Sequence, residues 1–330
     1  MNQGELFSHE MSFHRPDRID QTLYVVTPIF NPVRYRRRWM LYKKFENYIL
    51  SSPGVQLVTI EASFGERRPV IEKSHDRHTV ITVQTSTEIW TKENLINLAV
   101  QRLPSNWKYM AWVDADIQFT RPDWVGETLH QLQHYDYIQM FSNAHDLNDK
   151  HEIVQSYTGF AYCYHNQHYV PAFDSKKYTT HHKQKGYWHP GFAHACTRKF
   201  FDSVGGLIDW TILGGGDTYM MYALAGLLTE RTMPRSLGET GIRWLREWEA
   251  RCERDCKRNF GYMEGDLLHH YHGSRADRGY QDRGQILTSC NFDPEKDIKK
   301  DWQGLWQLTD RNYKLRDQIR HYFRRRNEDS

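Results

Sequence analysis

The sequence lacks the features of a membrane-spanning or secreted protein. No apolar run approaches the about 20 residues that a transmembrane helix needs, and the longest, residues 222–228, is far shorter. The five cysteines are few, odd in number and scattered, which argues against a disulfide framework and predicts reduced thiols. Residues 1–20 are polar, so no secretory signal is expected. We therefore expect a cytoplasmic protein.

An excess of one charge is also missing. The net charge of +3 is too small, and the hydrophobic content of 39% too high, for a disordered chain. A length of 330 residues predicts two units, or one large α/β domain with an appendage. Aromatic residues make up 14% of the chain, and their flat faces suit stacking on sugars or bases.

The positive charge is concentrated in two basic clusters. The first consists of Arg34, Arg36, Arg37, Arg38, Lys43 and Lys44. The second consists of Arg311, Lys314, Arg316, Arg320, Arg324, Arg325 and Arg326. Such clusters attract polyanions, namely nucleic acid, anionic lipid or a nucleotide diphosphate; the alternative is two solvated helix faces.

Apolar runs in the first half predict an alternation of strands and helices. The predicted strands are residues 23–29, 55–60, 79–83 and 109–113, and the predicted helices are residues 36–50 and the stretch from Thr91 to Pro104. This order predicts βαβ units and a mostly parallel sheet. Ligands bind beyond the carboxyl ends of such strands, where Glu61, Asp114 and Asp116 are expected to lie.

The second half of the sequence is less regular. Helices are predicted at residues 123–134, 199–204, 218–228 and 242–258, a strand at residues 267–272, and a last helix with an apolar stripe formed by Leu315, Ile319, Tyr322 and Phe323. The predicted organisation is a polar arm at residues 1–22, a domain at residues 23–290 and a basic helical extension at residues 291–330.

Two carboxylates directly follow the fourth predicted strand, at Asp114 and Asp116. Acids at i and i+2 can converge on one ion when the chain turns. Hard cations such as Mg²⁺ and Mn²⁺ prefer oxygen ligands and are held by one or two carboxylates together with substrate phosphates. The pair therefore predicts a metal and nucleotide site; the alternative is a solvated turn.

A third acid, Asp217, follows three glycines and opens an apolar helix. Glycines let the backbone approach a ligand closely, and the acid could act as a general base on an attacking hydroxyl. The alternative is an N-cap. A helix N-terminus lowers the pKa of a carboxylate, which does not favour a base unless burial and substrate contact compensate.

Histidines 269, 270 and 272 form the third candidate cluster. On a strand, His270 and His272 would point to one face and His269 to the other. One imidazole could complete the coordination of a metal, an arrangement that suits Mn²⁺ better than Mg²⁺. The choice among the three stays open at this stage, with His272 favoured; ordinary exposed histidines are the alternative.

Taken together, these residues resemble the GT-A-type glycosyltransferases of the broad family-2-like group, over residues 23–287. Residues 27–31 look like the first nucleotide-contacting loop, residues 90–97 like the segment that faces the donor, and residues 114–116 like the DxD motif. The resemblance implies a GT-A (Rossmann-like) α/β fold with a mostly parallel central sheet. It also implies that residues 23–120 form a nucleotide-binding half and residues 121–290 an acceptor half. One departure is Gly216, where many relatives carry glutamate.

The resemblance also implies roles for individual residues. The implied donor-binding residues are Thr27, Pro28, Phe30, Asn31, Glu61, Lys92, Asn97, Asp114, Arg278 and Arg283. Asp116 and His272 would bind Mn²⁺ or Mg²⁺, and Asp217 would be the catalytic base of an inverting transfer from a nucleotide-diphosphate sugar. The predicted acceptor-binding residues are Trp188, His189, Trp210 and Gly215.

The acceptor is not specified by the sequence. A hydroxylated (hydroxymethyl) base in DNA, as in bacteriophage DNA-modifying enzymes, is slightly favoured because both basic clusters are rich in arginine, which forms forked contacts with phosphate. A surface or lipid-linked glycan is the second possibility. Two other classes stay open: a nucleotidyltransferase, and a non-enzymatic module that binds nucleic acid or membrane.

Overall fold

The computed structural model of the protein describes residues 22–166, 188–229, 233–274, 276–279 and 282–330. The predicted arm at residues 1–22 lies outside this part of the chain except for its last residue, and so does Tyr280, which the resemblance places beside Arg278. Among the described helices, none is long and apolar enough to cross a membrane.

A seven-stranded sheet forms the centre of the protein. Its strands, in spatial order, are β11 (Phe260–Tyr262), β6 (Tyr137–Gln139), β10 (Ala193–Thr197), β4 (Tyr109–Val113), β1 (Leu23–Phe30), β2 (Val55–Phe64) and β3 (His78–Thr85). The pairs β1–β2, β1–β4, β2–β3 and β6–β11 are parallel, and the two pairs that β10 makes are antiparallel. The predicted α/β class with a mostly parallel central sheet is therefore confirmed.

A second sheet and a hairpin complete the described strands. The second sheet has the order β5 (Ile117–Phe119), β12 (Asp266–His269), β7 (Asn143–Leu147), β8 (Ile153–Gly159) and β9 (Trp188–His189). The hairpin consists of β13 (Ile298–Lys300) and β14 (Trp306–Leu308). Strand β5 begins one residue after Asp116, so the turn that carries the aspartates joins the two sheets.

Helices cover both faces of the central sheet. In chain order they are α1 (Arg36–Ser51), α2 (Lys92–Val100), α3 (Trp124–Gln131), α4 (Phe160–His165), α5 (Arg198–Val204), α6 (Gly216–Ala225), α7 (Gly238–Arg251), α8 (Asp282–Ser289), α9 (Pro294–Asp297) and α10 (Tyr313–Arg325). A π-helical segment, Cys252–Cys256, continues α7. The single helix predicted at residues 242–258 is therefore wrong at both ends, because α7 begins at Gly238 and its π-helical continuation ends at Cys256.

The apolar core is continuous with the last helix. Leu315, Ile319, Tyr322 and Phe323 are buried and belong to the same cluster as Val26 of the central sheet. The predicted stripe on the last helix is therefore correct, and its burial joins α10 to the sheet domain. The same core contains residues on both sides of residue 290. The domain boundary predicted there stays a prediction.

Two strands differ from the prediction in ways that matter for the site. Strand β2 runs to Phe64, so Glu61 lies inside the strand and not at its end. Strand β12 ends at His269, because its neighbour β5 begins at Ile117, the residue opposite His269. The alternation expected for residues 267–272 is therefore wrong beyond His269.

Asn97 connects α2 to the loop that precedes α6. Its side-chain amide donates to the carbonyl of Leu207 at 3.0 Å, and its Oδ1 accepts from the Leu207 backbone N–H at 2.9 Å. Two hydrogen bonds to one backbone residue hold the loop at a fixed distance from the helix. This contact gives Asn97 a structural role in addition to the predicted donor contact.

We expect Asn97→Ala to lower the free energy of unfolding by about 1–3 kcal/mol, because it leaves the backbone groups of Leu207 unpaired. The measurement is urea denaturation, with Gln101→Ala at the exposed end of the same helix as the control. Unchanged stability together with weakened nucleotide binding would contradict the structural role.

Candidate active site

A cavity opens beyond the carboxyl ends of β1 and β4. The predicted site residues that line it are Pro28, Phe30, Lys92, Asp114, Asp116, His189, Gly215, Asp217, His272 and Arg283. It is also lined by residues that the sequence analysis did not select, among them Tyr35, Arg38, Trp90, Glu93, His269 and Arg326. The cavity therefore brings together carboxylates, imidazoles and cations from both halves of the chain.

One end of the cavity carries a buried group of possible metal ligands. Asp116, His269 and His272 each offer a ligand atom, and these atoms lie within 4.8 Å of one another. His272 Nε2 is 3.2 Å from Asp116 Oδ2, and His269 Nε2 is 3.7 Å from Asp116 Oδ1. Asp116 Oδ1 is buried without a hydrogen-bond partner among the described residues. One carboxylate and two imidazoles are a donor set that fits Mn²⁺.

The second sheet positions His269 in this group. His269 is paired with Ile117 on one side and Asp146 on the other, and its Nδ1 is 2.7 Å from Asp146 Oδ1. A carboxylate on Nδ1 leaves Nε2 facing the other two ligands. Although burial works to lower it, Asp116 and Asp146 raise the pKa of His269.

His272 reaches Asp116 because the chain leaves β12 after His269. The intervening His270 binds Asp116 through its backbone N–H, which donates to the Asp116 carbonyl at 2.8 Å. The expectation that His270 and His272 share a face is therefore wrong, because the period of two applies only within a strand. Burial, with Arg278 and Arg38 nearby, lowers the pKa of His272 to about 3.

Arg38 of α1 closes this end of the cavity. Its guanidinium donates to Asp116 Oδ2 at 3.1 Å and to Glu328 Oε1 at 2.9 Å. Burial favours the neutral form of Asp116, but His269, His272 and Arg38 hold the pKa of this carboxyl well below its usual range. Asp329 accepts hydrogen bonds from the first backbone N–H groups of α1, so residues 328–329 hold the start of this helix.

Lys92 occupies the centre of the cavity wall, between two carboxylates. Its Nζ lies 2.7 Å from Asp114 Oδ1 and 3.4 Å from Asp217 Oδ2. Burial alone would lower the pKa of Lys92, but the two aspartates raise it. Burial also raises the pKa of Asp114, to about 6, against the effect of Lys92. For Asp217, burial works to raise the pKa, but Lys92, His194, Glu93 and His189 together lower it.

The glycines before α6 give Asp217 its position. Gly214 and Gly215 have φ values of +82° and +92°, a left-handed backbone that other residues rarely adopt. At Gly214 a Cβ would stand 2.8 Å from the Arg283 guanidinium, so this arginine can pack directly on the loop. Asp217 is thus in the first turn of α6 and is not its N-cap, which is Gly215.

Two further arginines form a cationic wall of the cavity. The guanidinium of Arg283 lies over the Trp90 ring at 4.8 Å, and that of Arg326 lies over the same ring at 5.5 Å. Both donate to the hydroxyl of Tyr322, at 2.7 Å and 2.8 Å. The last helix therefore anchors the cationic wall.

The remaining predicted site residues are outside the described cavity lining, namely Thr27, Asn31, Glu61, Asn97, Arg278, Trp188 and Trp210. Most of them have structural contacts in the surrounding shell. The Thr27 hydroxyl donates to the carbonyl of Val113, and the Asn31 side chain binds the backbone of Tyr35.

The side chain of Glu61 binds the backbone of the loop that follows β2. Its carboxylate accepts from the backbone N–H groups of Val70 and Ile71, at distances from 2.8 to 3.0 Å. The carbonyl of Arg278 accepts from Tyr322. Trp188 packs on Phe160, and Trp210 on Trp244, so each tryptophan also serves the core.

Sequence reasoning assigned no definite site role to four cavity residues of functional type, namely Arg38, Glu93, His269 and Arg326. Arg38 and Arg326 stand in the two basic clusters, but nothing in the sequence indicates that the ends of α1 and α10 meet. They do meet, because the Tyr35 hydroxyl donates to the carbonyl of Arg324 at 2.8 Å. His269 was left open as an alternative metal ligand to the favoured His272, because strand alternation placed it on the other face. Glu93 has the sequence signal of an ordinary acid in the first turn of a helix.

Comparisons with known proteins identify distant likenesses only. No family profile matches the sequence, and no curated protein matches it. A mutant of Drosophila β1,4-galactosyltransferase 7, solved with manganese, UDP-Gal and xylobiose, is 13% identical with a TM-score of 0.32, over 64% of this chain. The match spans 65% of the galactosyltransferase chain.

Two other solved structures show similar values. Glucosyl-3-phosphoglycerate synthase from Mycobacterium tuberculosis is 9% identical with a TM-score of 0.41, over 82% of this chain and 78% of the synthase. The 4-diphosphocytidyl-2C-methyl-D-erythritol synthase from Anaerococcus prevotii is 10% identical with a TM-score of 0.32, over 74% and 90%. Likenesses at this distance do not distinguish between possible reactions. The function must therefore be inferred from the geometry of the site.

The metal group can be tested without any substrate. We expect His269→Ala and His272→Ala each to weaken Mn²⁺ binding by about 100-fold or more, and Asp146→Asn by about 10–100-fold. The measurement is isothermal titration with Mn²⁺. The matched control is His270→Ala, since this neighbouring histidine is outside the ligand group. Equal losses in all three histidine variants would contradict the assignment.

Proposed function

We propose that the protein is a metal-dependent glycosyltransferase that moves a sugar from a nucleotide-diphosphate donor to an acceptor hydroxyl, with inversion. One observation carries the proposal. A buried metal-ligand group and a carboxylate suited to act as a base, Asp217, line the same cavity, and cations lie around both. This combination suits a reaction in which a diphosphate leaves while a hydroxyl loses its proton.

The donor diphosphate fits between the ligand group and the cationic wall. Asp116, His269 and His272 would hold Mn²⁺ or Mg²⁺, which when bound supplies Lewis-acid stabilisation of the diphosphate. Arg283 and Arg326 can each offer forked N–H donors to phosphate oxygens. Their guanidinium planes are fixed by Trp90 and Tyr322, so little side-chain freedom is lost when phosphate binds.

Asp217 is the base in this proposal. The acceptor hydroxyl oxygen forms a bond to the anomeric carbon, and the bond from that carbon to the diphosphate oxygen breaks with its electron pair. The hydroxyl proton passes to the Asp217 carboxylate. Because its neighbours, Lys92 foremost, hold the pKa of Asp217 low, the carboxylate is ionised at neutral pH. A low pKa makes it a weak base, and direct contact with the acceptor hydroxyl compensates for this.

The proposed acceptor is a nucleic acid. The two basic clusters lie beside each other at the cavity, because Arg38 and Arg326, one from each cluster, both line it. Much of their charge is used within the protein. Arg38 and Arg326 pair with Glu328, Arg324 and Arg325 pair with Glu88 and Asp282, and Lys43, Arg311 and Arg316 pair with Glu46, Asp297 and Asp317. We propose that the other basic residues at this edge hold DNA that carries a hydroxylated base.

Replacing the base separates binding from chemistry. We expect Asp217→Asn to bind nucleotide sugar with about the wild-type affinity but to transfer sugar about 10²–10⁴-fold more slowly. The measurement is a screen of nucleotide sugars with Mn²⁺, in which chromatography identifies the released nucleotide. Release of pyrophosphate, or full activity of the variant, would contradict the proposal. A chelator that leaves wild-type turnover unchanged would do so too.

The DNA acceptor can be tested by salt dependence. Binding of hydroxymethylated DNA should weaken steeply with salt, by about 0.9 log unit per log unit of salt for each phosphate contact. The measurement is fluorescence anisotropy at several salt concentrations, with Arg34→Ala and Lys44→Ala expected to reduce the slope. A flat response would remove DNA and leave a glycan as the acceptor of the same enzyme.

A further inference from the structure

Glu93 is a buried carboxyl group beside the proposed base, and neither the sequence analysis nor the mechanism above gives it a role. It is the second residue of α2, and only 3% of its surface is exposed. A carboxyl group buried to this extent needs a hydrogen-bond partner, because the loss of water is otherwise costly. Its surroundings therefore indicate what it does.

The carboxyl group of Glu93 occupies space that Gly216 leaves open. A Cβ at position 216 would stand 2.7 Å from Glu93 Oε1 and 2.8 Å from Glu93 Cδ. Atoms do not approach so closely, so any larger residue at position 216 would displace the Glu93 carboxyl. The glycine and the glutamate are thus complementary: one makes the room that the other fills.

Glu93 and Asp217 line the same cavity, and Glu93 Oε1 lies against Gly216, the residue next to Asp217. A hydrogen bond between the two carboxyl groups contributes to the pKa of each. Such a bond requires one proton, because two carboxylates have only acceptors. Burial and the charge of Asp217 raise the pKa of Glu93 well above its usual value. Since the pKa of Asp217 is lowered, the shared proton belongs to Glu93.

The charged and titratable groups around this pair come from several elements, and they include Tyr137 of β6, whose pKa burial and the charge of Asp217 raise. Lys92 of α2 contacts Asp217 at 3.4 Å, and Asp114 follows β4. His189 of β9 and His194 of β10 also act on Asp217. Burial lowers the pKa of His194 to about 3, so it adds no charge at neutral pH. Lys92 is therefore the main cation beside the pair. Glu93 is the neutral member of the pair and donates to the Asp217 carboxylate.

We propose that Glu93 is a positioning residue that keeps its own proton and orients the Asp217 carboxylate towards the acceptor hydroxyl. This inference rests on the proposed function. During transfer the hydroxyl proton moves to Asp217, the new bond forms between the acceptor oxygen and the anomeric carbon, and the diphosphate leaves with the electron pair. Glu93 neither gains nor loses a proton in this step.

Replacements of Glu93 separate orientation from a general structural role. Glu93→Gln keeps an N–H donor, so its kcat should stay within about threefold of wild type. Glu93→Ala removes the donor and should lower kcat by about 10–100-fold at an unchanged donor KM. Its acid limb in the kcat–pH profile should move to higher pH, because loss of the donor raises the pKa of Asp217.

Gly216→Ala tests the same contact from the other side. Its Cβ should displace Glu93 and lower kcat in the wild-type background, but have no further effect in Glu93→Ala. Such non-additivity shows that both changes act through one contact. Asp297→Asn, which changes a buried acid outside the cavity lining, is the control: it should lower stability without moving the pH profile.

Two outcomes would overturn the proposal. One is a folded Glu93→Ala variant with the wild-type kcat and pH profile; the other is a Glu93→Gln variant as impaired as Glu93→Ala. A measurement without substrate keeps the test separate from the proposed function. The infrared spectrum at neutral pH should contain a protonated-carboxyl band that Glu93→Gln lacks. Absence of this band from wild type overturns the proton assignment, whereas the band without sugar transfer contradicts the proposed function.

Discussion

The ammonium group of Lys92 is the interaction on which the site depends. Asp114 and Asp217 come from distant parts of the chain, and both contact this one cation within a buried cavity. Without it, two carboxylates would face each other in a region of low dielectric, and at least one would take up a proton. Because Lys92 is present, Asp114 and Asp217 can both be ionised inside the cavity.

The cationic wall depends on a second, long-range constraint. Tyr322 of α10 binds Arg283 and Arg326, and α10 is held in place by apolar residues that belong to the core of the central sheet. The last helix is therefore part of the cavity wall, although its basic face looks like that of an appendage in the sequence. Charge alone could not distinguish these two arrangements, because the distinction depends on packing.

The sequence predicted the central sheet well and the site in part. Residues 109–113 were predicted as a strand from their apolar character alone. Asp116 was therefore expected to lie beyond the carboxyl end of that strand. The selection of His269 with His272 could not be predicted, because it depends on where β12 ends, which its neighbour β5 decides. Trp188 illustrates another limit, since a tryptophan in the core and one at a sugar site look the same in sequence.

The central claim is that Asp116, His269 and His272 hold a divalent ion against a diphosphate. The most direct test is a crystal structure of the protein with Mn²⁺ and UDP, or GDP if UDP does not bind, with data collected at the manganese absorption edge. The account predicts one anomalous peak bonded to these three side chains, with the diphosphate between the peak and the wall formed by Arg283 and Arg326. A manganese peak elsewhere, or a nucleotide bound away from this wall, would contradict it.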